Sequence, residues 1–491
     1  MLFNSLTYAL FLPIVFFLYW FVFGYGMSKF RHQVLCQNVF LLLASYVFYA
    51  YWDWRFLGLL IGMSFLSWGS SWLIRKSQIT NNQSQIPKFW LWLNIAINLG
   101  ILGIFKYYNF FVSSFADLFG LQSSIHSLKI VLPLGISFFT FQAISYVVDV
   151  YKRKIEPTNV VDCLLYIGFF PKLLAGPIER PMNLIPQIQK KRVFEYDLAV
   201  DGCRQILWGL FKKVVIADNC ALYVNQVYGD YANQSGSTLL LAVILYTIQI
   251  YGDFSGYSDM AIGSAKLLGF RFRDNFLFPY FSRTMNEFWR RWHISLNTWF
   301  VDYVYIPLGG SRGGKAKTIR NIMIVFLLSG LWHGADWSFV AWGAYHGLLL
   351  VLLILLNRNI KYEHVVAYDK WFPSLKELGQ MVLVFALATF GWMMFRADNM
   401  TQFINYTRHM CRGDMLSMPQ LAGNYILLAN IALMFVIEWF MRRNMHGFDF
   451  KNSTAKRYTF YTATRYTLYI IIFILILVFG GHTENFIYMY F

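Results

Sequence analysis

The sequence predicts an all-α, polytopic membrane protein with about 11 transmembrane helices, plus re-entrant and interfacial helices around a central cavity. Hydrophobic residues make up 57% of the 491 residues and charged residues only 14%, which is too little charge to cover soluble domains. The net charge of +17 lies in short basic clusters between apolar runs. Such clusters are typical of cytoplasmic loops that face anionic lipid, and they argue against nucleic-acid binding.

One membrane domain is predicted over residues 1–491, because the sequence contains no internal repeat, long linker or low-complexity tract. The five cysteines are odd in number and show no C-x-x-C spacing. They therefore predict neither a disulfide framework nor a metal site.

The first predicted span runs from Leu6 to Met27. No Lys or Arg precedes Lys29, whereas a cleaved signal peptide begins with a basic region, so this run is expected to remain as a membrane helix. Lys29 and Arg31 follow it directly, which predicts that its far end lies in the cytoplasm and the N-terminus outside.

Further apolar runs recur along the chain and predict the remaining membrane helices. They lie at 34–51, 56–74, 89–112, 132–150, 207–217, 239–251, 322–332, 338–356, 378–395, 425–440 and 466–480. The stretch FFPKLLAGPIERP (Phe169 to Pro181) is too short and too broken by Pro and Gly to span, which predicts a re-entrant or interfacial segment. The following basic patch, Lys190 to Arg192, is open to two interpretations: contact with phosphates of an acyl donor, or contact with lipid headgroups.

The catalytic core is predicted around residues 281–346, where charged side chains and histidines interrupt a membrane-suited sequence. Thr284 and Glu287 have capping-box spacing, and the residues that follow predict one helix with an aromatic face. Its polar side carries Asn286, Arg290, His293 and Asn297, and Glu287 and Arg291 form an i,i+4 pair. Such a helix turns His293 toward a polar cavity, or else lies in the membrane interface with its arginines reaching the headgroups.

His333 lies between Gly330 and Gly334, at the end of an uncharged run. The two glycines allow a neighbouring helix or a substrate chain to approach the backbone beside the imidazole. A neutral imidazole with a pKa near 6.5 suits the role of general base toward a hydroxyl. The alternative is a buried histidine satisfied by a backbone carbonyl. A second intramembrane histidine forty positions away, His293, favours a shared site.

Several long motifs in this sequence resemble the membrane-bound O-acyltransferases, in the branch of the alginate O-acetyltransferases and teichoic acid D-alanyl transferases. They cover most of the chain and are EFWRRWHISL, DYVYIPLGGSR, SGLWHG, LPLGISFFTFQAISYVVDVYK, FFPKLLAGPIERP, YGDFSGYSDMAIGSAKLLGF and the tail FIYMYF. Val301 and Asn297 are small departures from the expected pattern. The histidine of the WHG motif is the one tied to catalysis in that family, which implies a catalytic His333, and the second family histidine corresponds to His293.

The resemblance implies transfer of an acetyl group from a cytoplasmic thioester, such as acetyl-CoA, to a hydroxyl beyond the membrane. No cofactor is then bound permanently, no metal is needed, and His333 deprotonates the acceptor while His293 polarises the thioester carbonyl. A covalent route through Ser295 or Ser329 is less favoured, since no G-x-S-x-G elbow surrounds either residue.

The expected product is an O-acetylated, alginate-like polysaccharide, made at the inner membrane with an extracytoplasmic partner. Two alternatives are D-alanyl transfer from a carrier protein to teichoic acid and, in another class, a proton-coupled transporter. The enzymatic interpretation requires both imidazoles to face one water-accessible passage.

Overall fold

The computed structural model describes residues 1–27, 29–80, 85–120, 128–174, 176–412, 414–420, 425–450, 458–481, 484 and 486–487. Within these ranges the regular structure consists of α-, π- and 3₁₀-helices, with no strand. The predicted all-α class is therefore confirmed.

Two compact units can be distinguished. The first comprises Met1–Gly202 and Ala261–Arg273, and the second comprises Cys203–Met260 and Asp274–Phe491. The helix Gly236–Leu267 contributes residues to both units. The single membrane domain expected over residues 1–491 stays a prediction.

In the described part of the first unit, nine α-helices lie wholly within that unit. They are Leu6–Phe17, Gln33–Asp53, Leu57–Thr80, Ile86–Leu102, Tyr108–Phe119, Ile136–Tyr151, Val160–Gly168, Phe170–Leu173 and Pro181–Gln189. Two π-helical stretches, Leu18–Gly26 and Gly103–Tyr107, extend the first and the fourth of these helices.

The helix Tyr196–Leu210 begins in the first unit and ends in the second. The π-helix Phe211–Ala217 continues it into Asp218–Gly229, so that one helical rod covers 196–229. The other α-helices of the second unit are short around the catalytic core and long after it. They are Gly236–Leu267 in its larger part, Met285–Arg291, Ile294–Phe300, Lys315–His333, Trp337–Leu355, Leu375–Arg396, Met400–Met410, Tyr425–Met441 and Tyr458–Phe479.

Six helical stretches of the described residues are long and apolar enough to cross a membrane. They are Leu6–Gly26, Gln33–Thr80, Ile86–Phe119, Gly236–Leu267, Trp337–Leu355 and Leu375–Arg396. Three shorter apolar helices, Ile136–Tyr151, Tyr425–Met441 and Ala463–Phe479, coincide with further predicted spans. The chain is thus a multi-pass membrane protein, while the count of about 11 spans stays a prediction.

The stretch Gln33–Thr80 is 48 residues long and contains two predicted spans. Between them the 3₁₀ turn Trp54–Phe56 interrupts the α-helix, and Asp53 caps this turn through a hydrogen bond from the Arg55 amide. The division predicted from the sequence therefore falls at the observed break.

The broken segment predicted at Phe169 to Pro181 is irregular in the structure as well. A four-residue helix, Phe170–Leu173, is followed by non-helical backbone before the helix Pro181–Gln189 begins, and Ala175 lies outside the described residues. The backbone is buried and hydrogen-bonded: Tyr166 donates its hydroxyl to the Glu179 carbonyl. The predicted interruption is confirmed, whereas its depth in the membrane stays a prediction.

Candidate active site

His293 lies at a break between two short helices, Met285–Arg291 and Ile294–Phe300. The sequence predicted one continuous helix here, and that prediction is wrong at Trp292 and His293. The His293 backbone adopts a left-handed conformation with φ of +44°. A positive φ is uncommon in residues other than Gly, and it follows the extended backbone of Trp292, at which the first helix ends.

Hydrogen bonds to a residue distant in the sequence, Asn275, explain the break. Asn275 accepts from the Ile294 amide through its carbonyl oxygen at 3.0 Å and from the Ser295 hydroxyl through its side chain at 2.9 Å. Asn297 donates its side-chain amide to the carbonyl of Trp289, in the last turn of the first helix, and to the carbonyl of Trp292, just after its end. The ends of both helices are thereby satisfied without a continuous helical backbone.

The start of the first helix is capped as predicted. The Glu287 amide donates to the Thr284 hydroxyl at 3.1 Å. The Glu287 carboxylate, however, accepts from the Arg283 amide and forms ion pairs with Arg283 and Arg291 at 3.1 and 3.0 Å. The predicted Glu287–Arg291 pair is confirmed, and burial of the carboxylate makes it part of the local framework.

The predicted polar face is split by the break. Arg290 is exposed, whereas His293 is 1% exposed and points into the protein. Aromatic rings pack around the His293 imidazole. The Phe254 ring meets it edge-on at a centroid distance of 4.5 Å, and the others are Phe276, Trp332 and His333.

His333 is the last residue of the helix Lys315–His333 and is 3% exposed. Its ring lies 5.0 Å from the Trp342 ring and 5.3 Å from the Phe395 ring, measured between centroids. These neighbours come from Trp337–Leu355 and Leu375–Arg396, so three helices meet at this imidazole.

The glycines beside His333 admit a neighbouring helix. A Cβ added at Gly330 would lie 2.2 Å from the Phe339 carbonyl oxygen, and one at Gly343 would lie 2.3 Å from the Phe326 carbonyl oxygen. The close approach predicted from Gly330 is thus made by the helix Trp337–Leu355. Gly334 faces the Phe339 ring, at which an added Cβ would lie 2.1 Å away.

The structure brings the two predicted site residues together. The ring centroids of His293 and His333 are 6.4 Å apart, although forty positions separate them in the chain. A separation of this size leaves the two imidazoles close enough to act on neighbouring atoms of one substrate. The surrounding aromatic rings keep bulk water from competing for such a substrate. The water-accessible passage stays a prediction.

A sequence profile of the membrane-bound O-acyltransferase family matches residues 2–362. The chain belongs to that family. It is therefore an O-acyltransferase, and the transporter alternative is set aside. The predicted core, with both histidines, falls inside the matched region.

The names of three relatives of this acyltransferase refer to alginate, peptidoglycan and teichoic acid. A "Probable alginate O-acetylase" of Pseudomonas aeruginosa is 40% identical over 405 residues, covering 82% of this chain and 73% of that protein. The peptidoglycan O-acetyltransferase of Helicobacter pylori is 33% identical over 438 residues, covering 84% and 80%. The teichoic acid D-alanyltransferase of Bacillus subtilis is 31% identical over 285 residues, covering 53% and 68%.

A third histidine, His346, is fully buried in the acyltransferase. Its ring packs edge-on against Trp289 and Trp342 at centroid distances of 4.9 and 5.0 Å. Gly391 lies against the imidazole, since an added Cβ would be 2.4 Å from its Nε2 atom. Trp342 thus separates His346 from His333 while contacting both.

The sequence did not single out a buried network of charges beside the site. Lys213 forms ion pairs with Asp218 and Asp253 at 2.7 and 2.6 Å, and it donates to the carbonyl of Glu484. Asp253 also accepts from the Ile487 amide at 2.7 Å. Two adjacent lysines in an apolar helix were the available signal, because buried ammonium groups require carboxylate partners.

This network holds residues of the C-terminal tail near the site. The Phe486 ring lies 4.3 Å from the Tyr257 ring and 5.9 Å from the Phe254 ring, and Phe254 in turn contacts His293. The tail motif FIYMYF begins at Phe486, and its last four residues, 488–491, lie outside the described part of the chain.

The neighbouring Lys212 pairs with Asp259 at 2.6 Å, and Gln205 donates to the same carboxylate. Asp253 and Asp259, six positions apart, therefore serve separate lysines.

The basic patch at 190–192 is divided in the structure. Lys190 and Lys191 are exposed, but Arg192 is buried and donates to the Asn38 side chain at 2.7 Å and to the Ile188 carbonyl at 2.6 Å. Arg192 thus has an internal structural role, and contact with donor phosphates or lipid is left to the two lysines.

Proposed function

We propose that this acyltransferase transfers an acetyl group from a cytoplasmic thioester, such as acetyl-CoA, to a hydroxyl group of an exported, alginate-like polysaccharide. The observation that carries the proposal is the pair of buried histidines, His293 and His333, with ring centroids 6.4 Å apart. The names of the acetylating relatives, which match over four-fifths of this chain, support acetyl as the transferred group.

His333 acts as general base in the proposed reaction. The acceptor oxygen attacks the thioester carbonyl carbon while its proton passes to the His333 imidazole. The tetrahedral intermediate then collapses: the carbon–sulfur bond breaks, and the leaving thiolate takes the proton back from His333. The proton balance closes within one turnover, so no external acid or base is required.

His293 stabilises the developing oxyanion. A neutral imidazole has one N–H donor, which can hydrogen-bond the carbonyl oxygen as negative charge develops on it. Its left-handed backbone, fixed by Asn275 and Asn297, and the edge-on Phe254 ring hold the imidazole in one orientation.

The proposal places the enzyme in the inner membrane with its N-terminus outside. The donor meets the site from the cytoplasm, and an extracytoplasmic partner completes delivery to the polysaccharide. Lys29 and Arg31 after the first membrane helix support this orientation.

Replacement of His333 tests the proposal. His333→Ala is expected to lower acetylation of the exported polysaccharide by about 10²- to 10⁴-fold, the usual contribution of a general base. His364→Ala is the matched control, because His364 is exposed and its ring stacks on Tyr368. Acetyl content of the polysaccharide and the amount of folded protein in the membrane are measured together. Unchanged acetylation by a normally abundant His333→Ala protein would refute the assignment.

D-alanyl transfer is the second candidate, and the relative from B. subtilis supports it over a smaller share of the chain. Purified protein is offered acetyl-CoA in one reaction and a D-alanylated carrier protein in another. Thioester consumption that depends on His333 is expected with acetyl-CoA. If only the carrier thioester were consumed, D-alanyl transfer would replace acetyl transfer as the proposed function.

A further inference from the structure

A polar pocket with a volume of about 340 Å³ lies in the first unit. None of its lining residues belongs to the predicted core at 281–346. It is lined by the start of the helix Gln33–Asp53, by the residues just before it, and by Asn159, Asp162 and Gln189. The acyltransfer chemistry proposed above uses none of these side chains.

The floor of the pocket carries a buried carboxylate. Asp162 is 3% exposed and lines the pocket. One of its oxygens accepts from the Asn38 side-chain amide at 2.8 Å and the other from the Asn159 side-chain amide at 2.7 Å. Both donors are neutral, and across the described ranges Asp162 has no Lys, Arg or His within ion-pair distance. Each oxygen keeps a lone pair for a further donor.

Asp162 also lies in the first turn of the helix Val160–Gly168, where the helix dipole favours a carboxylate. Two neutral amides and one helix end offset only part of the cost of a buried ion, which is several kcal/mol without a cation or further hydrogen bonds. Arg192 is connected to Asp162 only indirectly, since it donates to the oxygen of the Asn38 amide at 2.7 Å. The carboxylate is therefore oriented by its neighbours and remains able to take a cationic donor from the pocket.

The mouth of the pocket has the opposite charge. Arg31 and His32 line it and are exposed, and in the described part of the chain neither side chain forms a hydrogen bond or an ion pair. Both follow the apolar stretch Leu6–Gly26, at the position where a membrane helix reaches the lipid headgroups. Leu35, which also lines the pocket, and the nearby Phe30 are exposed apolar side chains of 42% and 65%.

We infer that this pocket binds a phosphoethanolamine group, the headgroup of phosphatidylethanolamine. The phosphate contacts the Arg31 guanidinium and His32 at the mouth, and the primary ammonium donates to the Asp162 carboxylate on the floor. The exposed Phe30 and Leu35 accommodate the start of the acyl chains, which favours a lipid over the soluble headgroup.

The charge pattern disfavours the alternatives. A polyphosphate would lie against the negative Asp162, and a simple cation would lie beside the positive Arg31. Choline carries a positive charge but no N–H donor, so it cannot replace the ammonium at the Asp162 oxygens. Glycerol headgroups lack the positive charge altogether. Discrimination between ethanolamine and choline is therefore the property that identifies this site.

Lipid competition on the full-length protein provides the test. Protein purified in detergent receives phosphatidylethanolamine, phosphatidylcholine or phosphatidylglycerol with identical acyl chains, and bound lipid is counted by native mass spectrometry. Phosphatidylethanolamine is expected to bind about tenfold more tightly than the other two, as one charge-assisted hydrogen bond predicts. Equal binding of the ethanolamine and choline lipids by the wild-type protein would overturn the inference.

Two variants separate the two ends of the headgroup. Asp162→Asn is expected to abolish the preference for ethanolamine over choline, whereas Asp197→Asn, which removes an exposed carboxylate of the same unit, keeps it. Arg31→Gln is expected to weaken the binding of all three lipids alike and to keep the preference for ethanolamine over choline. Lys29→Gln is its control. A full ethanolamine preference in a folded Asp162→Asn protein would overturn the inference.

The test does not depend on Asp162→Asn being folded. Arg31 is exposed, so Arg31→Gln leaves the core unchanged, and loss of the ethanolamine preference in that variant would contradict the assigned roles. Soluble glycerophosphoethanolamine forms the last arm. Displacement of the lipid only at concentrations far above those of the lipid supports a membrane source, and displacement at equal concentration overturns it.

Discussion

His293 shows how one residue combines a backbone role with a chemical one. Its φ of +44° sets the direction change between two helices, and its ring faces His333. A left-handed conformation costs a residue with a Cβ atom about 1–2 kcal/mol. The hydrogen bonds that Asn275 accepts and Asn297 donates overcome this cost and thereby fix where the imidazole points.

Comparison of His293→Gly with His293→Ala separates these roles. Both variants lose the imidazole, so both are expected to lose transferase activity by at least about tenfold. Glycine relieves the left-handed strain but increases the entropy of the unfolded chain. The free energy of unfolding of the glycine variant is therefore expected to exceed that of the alanine variant by about 0.5–1 kcal/mol. Thermal unfolding in detergent and acetyl transfer are measured on the same preparations.

His293→Asn provides the control, since asparagine tolerates a left-handed backbone and keeps an N–H donor. It is expected to be as stable as the glycine variant and to retain more activity than either. A glycine variant less stable than the alanine variant would show that backbone strain at this position is small.

At the scale of elements, the core depends on the contact between the helices Lys315–His333 and Trp337–Leu355. Gly330 and Gly343 face each other with their Cα atoms close enough that a Cβ at either would lie 3.3 Å from the other Cα. Interfaces of small residues are the usual means by which membrane helices approach closely. The position of His333 therefore depends on the lack of a side chain at Gly330, three residues earlier.

Gly330→Ala is expected to force the two helices apart, because the added Cβ would lie 2.2 Å from the Phe339 carbonyl oxygen. Overpacking of this kind costs about 1–3 kcal/mol, and displacement of His333 should lower kcat more than it raises KM. Thermal unfolding and steady-state acetyl transfer are the measurements.

Gly62→Ala is the matched control for that substitution. Gly62 also lies inside a helix, but nothing lies within 4 Å of a Cβ added there. Alanine has a higher helix propensity than glycine, so the free energy of unfolding is expected to increase by up to about 1 kcal/mol with unchanged activity. Equal behaviour of the two alanine variants would contradict the packing argument.

The elements also show what the sequence can and cannot predict. Composition and the spacing of apolar runs predicted the all-α class and the break near Trp54, because these depend on local sequence. The break at His293 escaped prediction, since its cause is Asn275, a residue far outside the window of helical periodicity. The motifs identified both histidines, but their proximity arises from tertiary packing that periodicity does not encode.

At the scale of the whole molecule, the distribution of charge predicts orientation. Within the described ranges, six helical stretches are apolar enough to span, and the basic residues cluster between such runs. The buried charges behave differently: Lys213 is 1% exposed and pairs with two carboxylates. Only exposed basic residues bear on topology, and Lys29 and Lys191 are of this kind.

Cysteine labelling tests the orientation on which the proposed direction of acetyl transfer depends. Starting from a variant with its five cysteines replaced by serine, Leu6→Cys places a thiol at the start of the first membrane helix, where Leu6 is 78% exposed. An impermeant maleimide added to spheroplasts is expected to modify Leu6→Cys and to spare Lys29→Cys and Lys191→Cys until the membrane is opened. The excess of basic residues after the first helix favours retention of that end in the cytoplasm. Because labelling of spheroplasts requires only that the maleimide can reach the thiol, the result is independent of enzymatic activity. Labelling of Lys29→Cys from outside would place the donor site on the opposite face and contradict a cytoplasmic thioester as the source of the acetyl group.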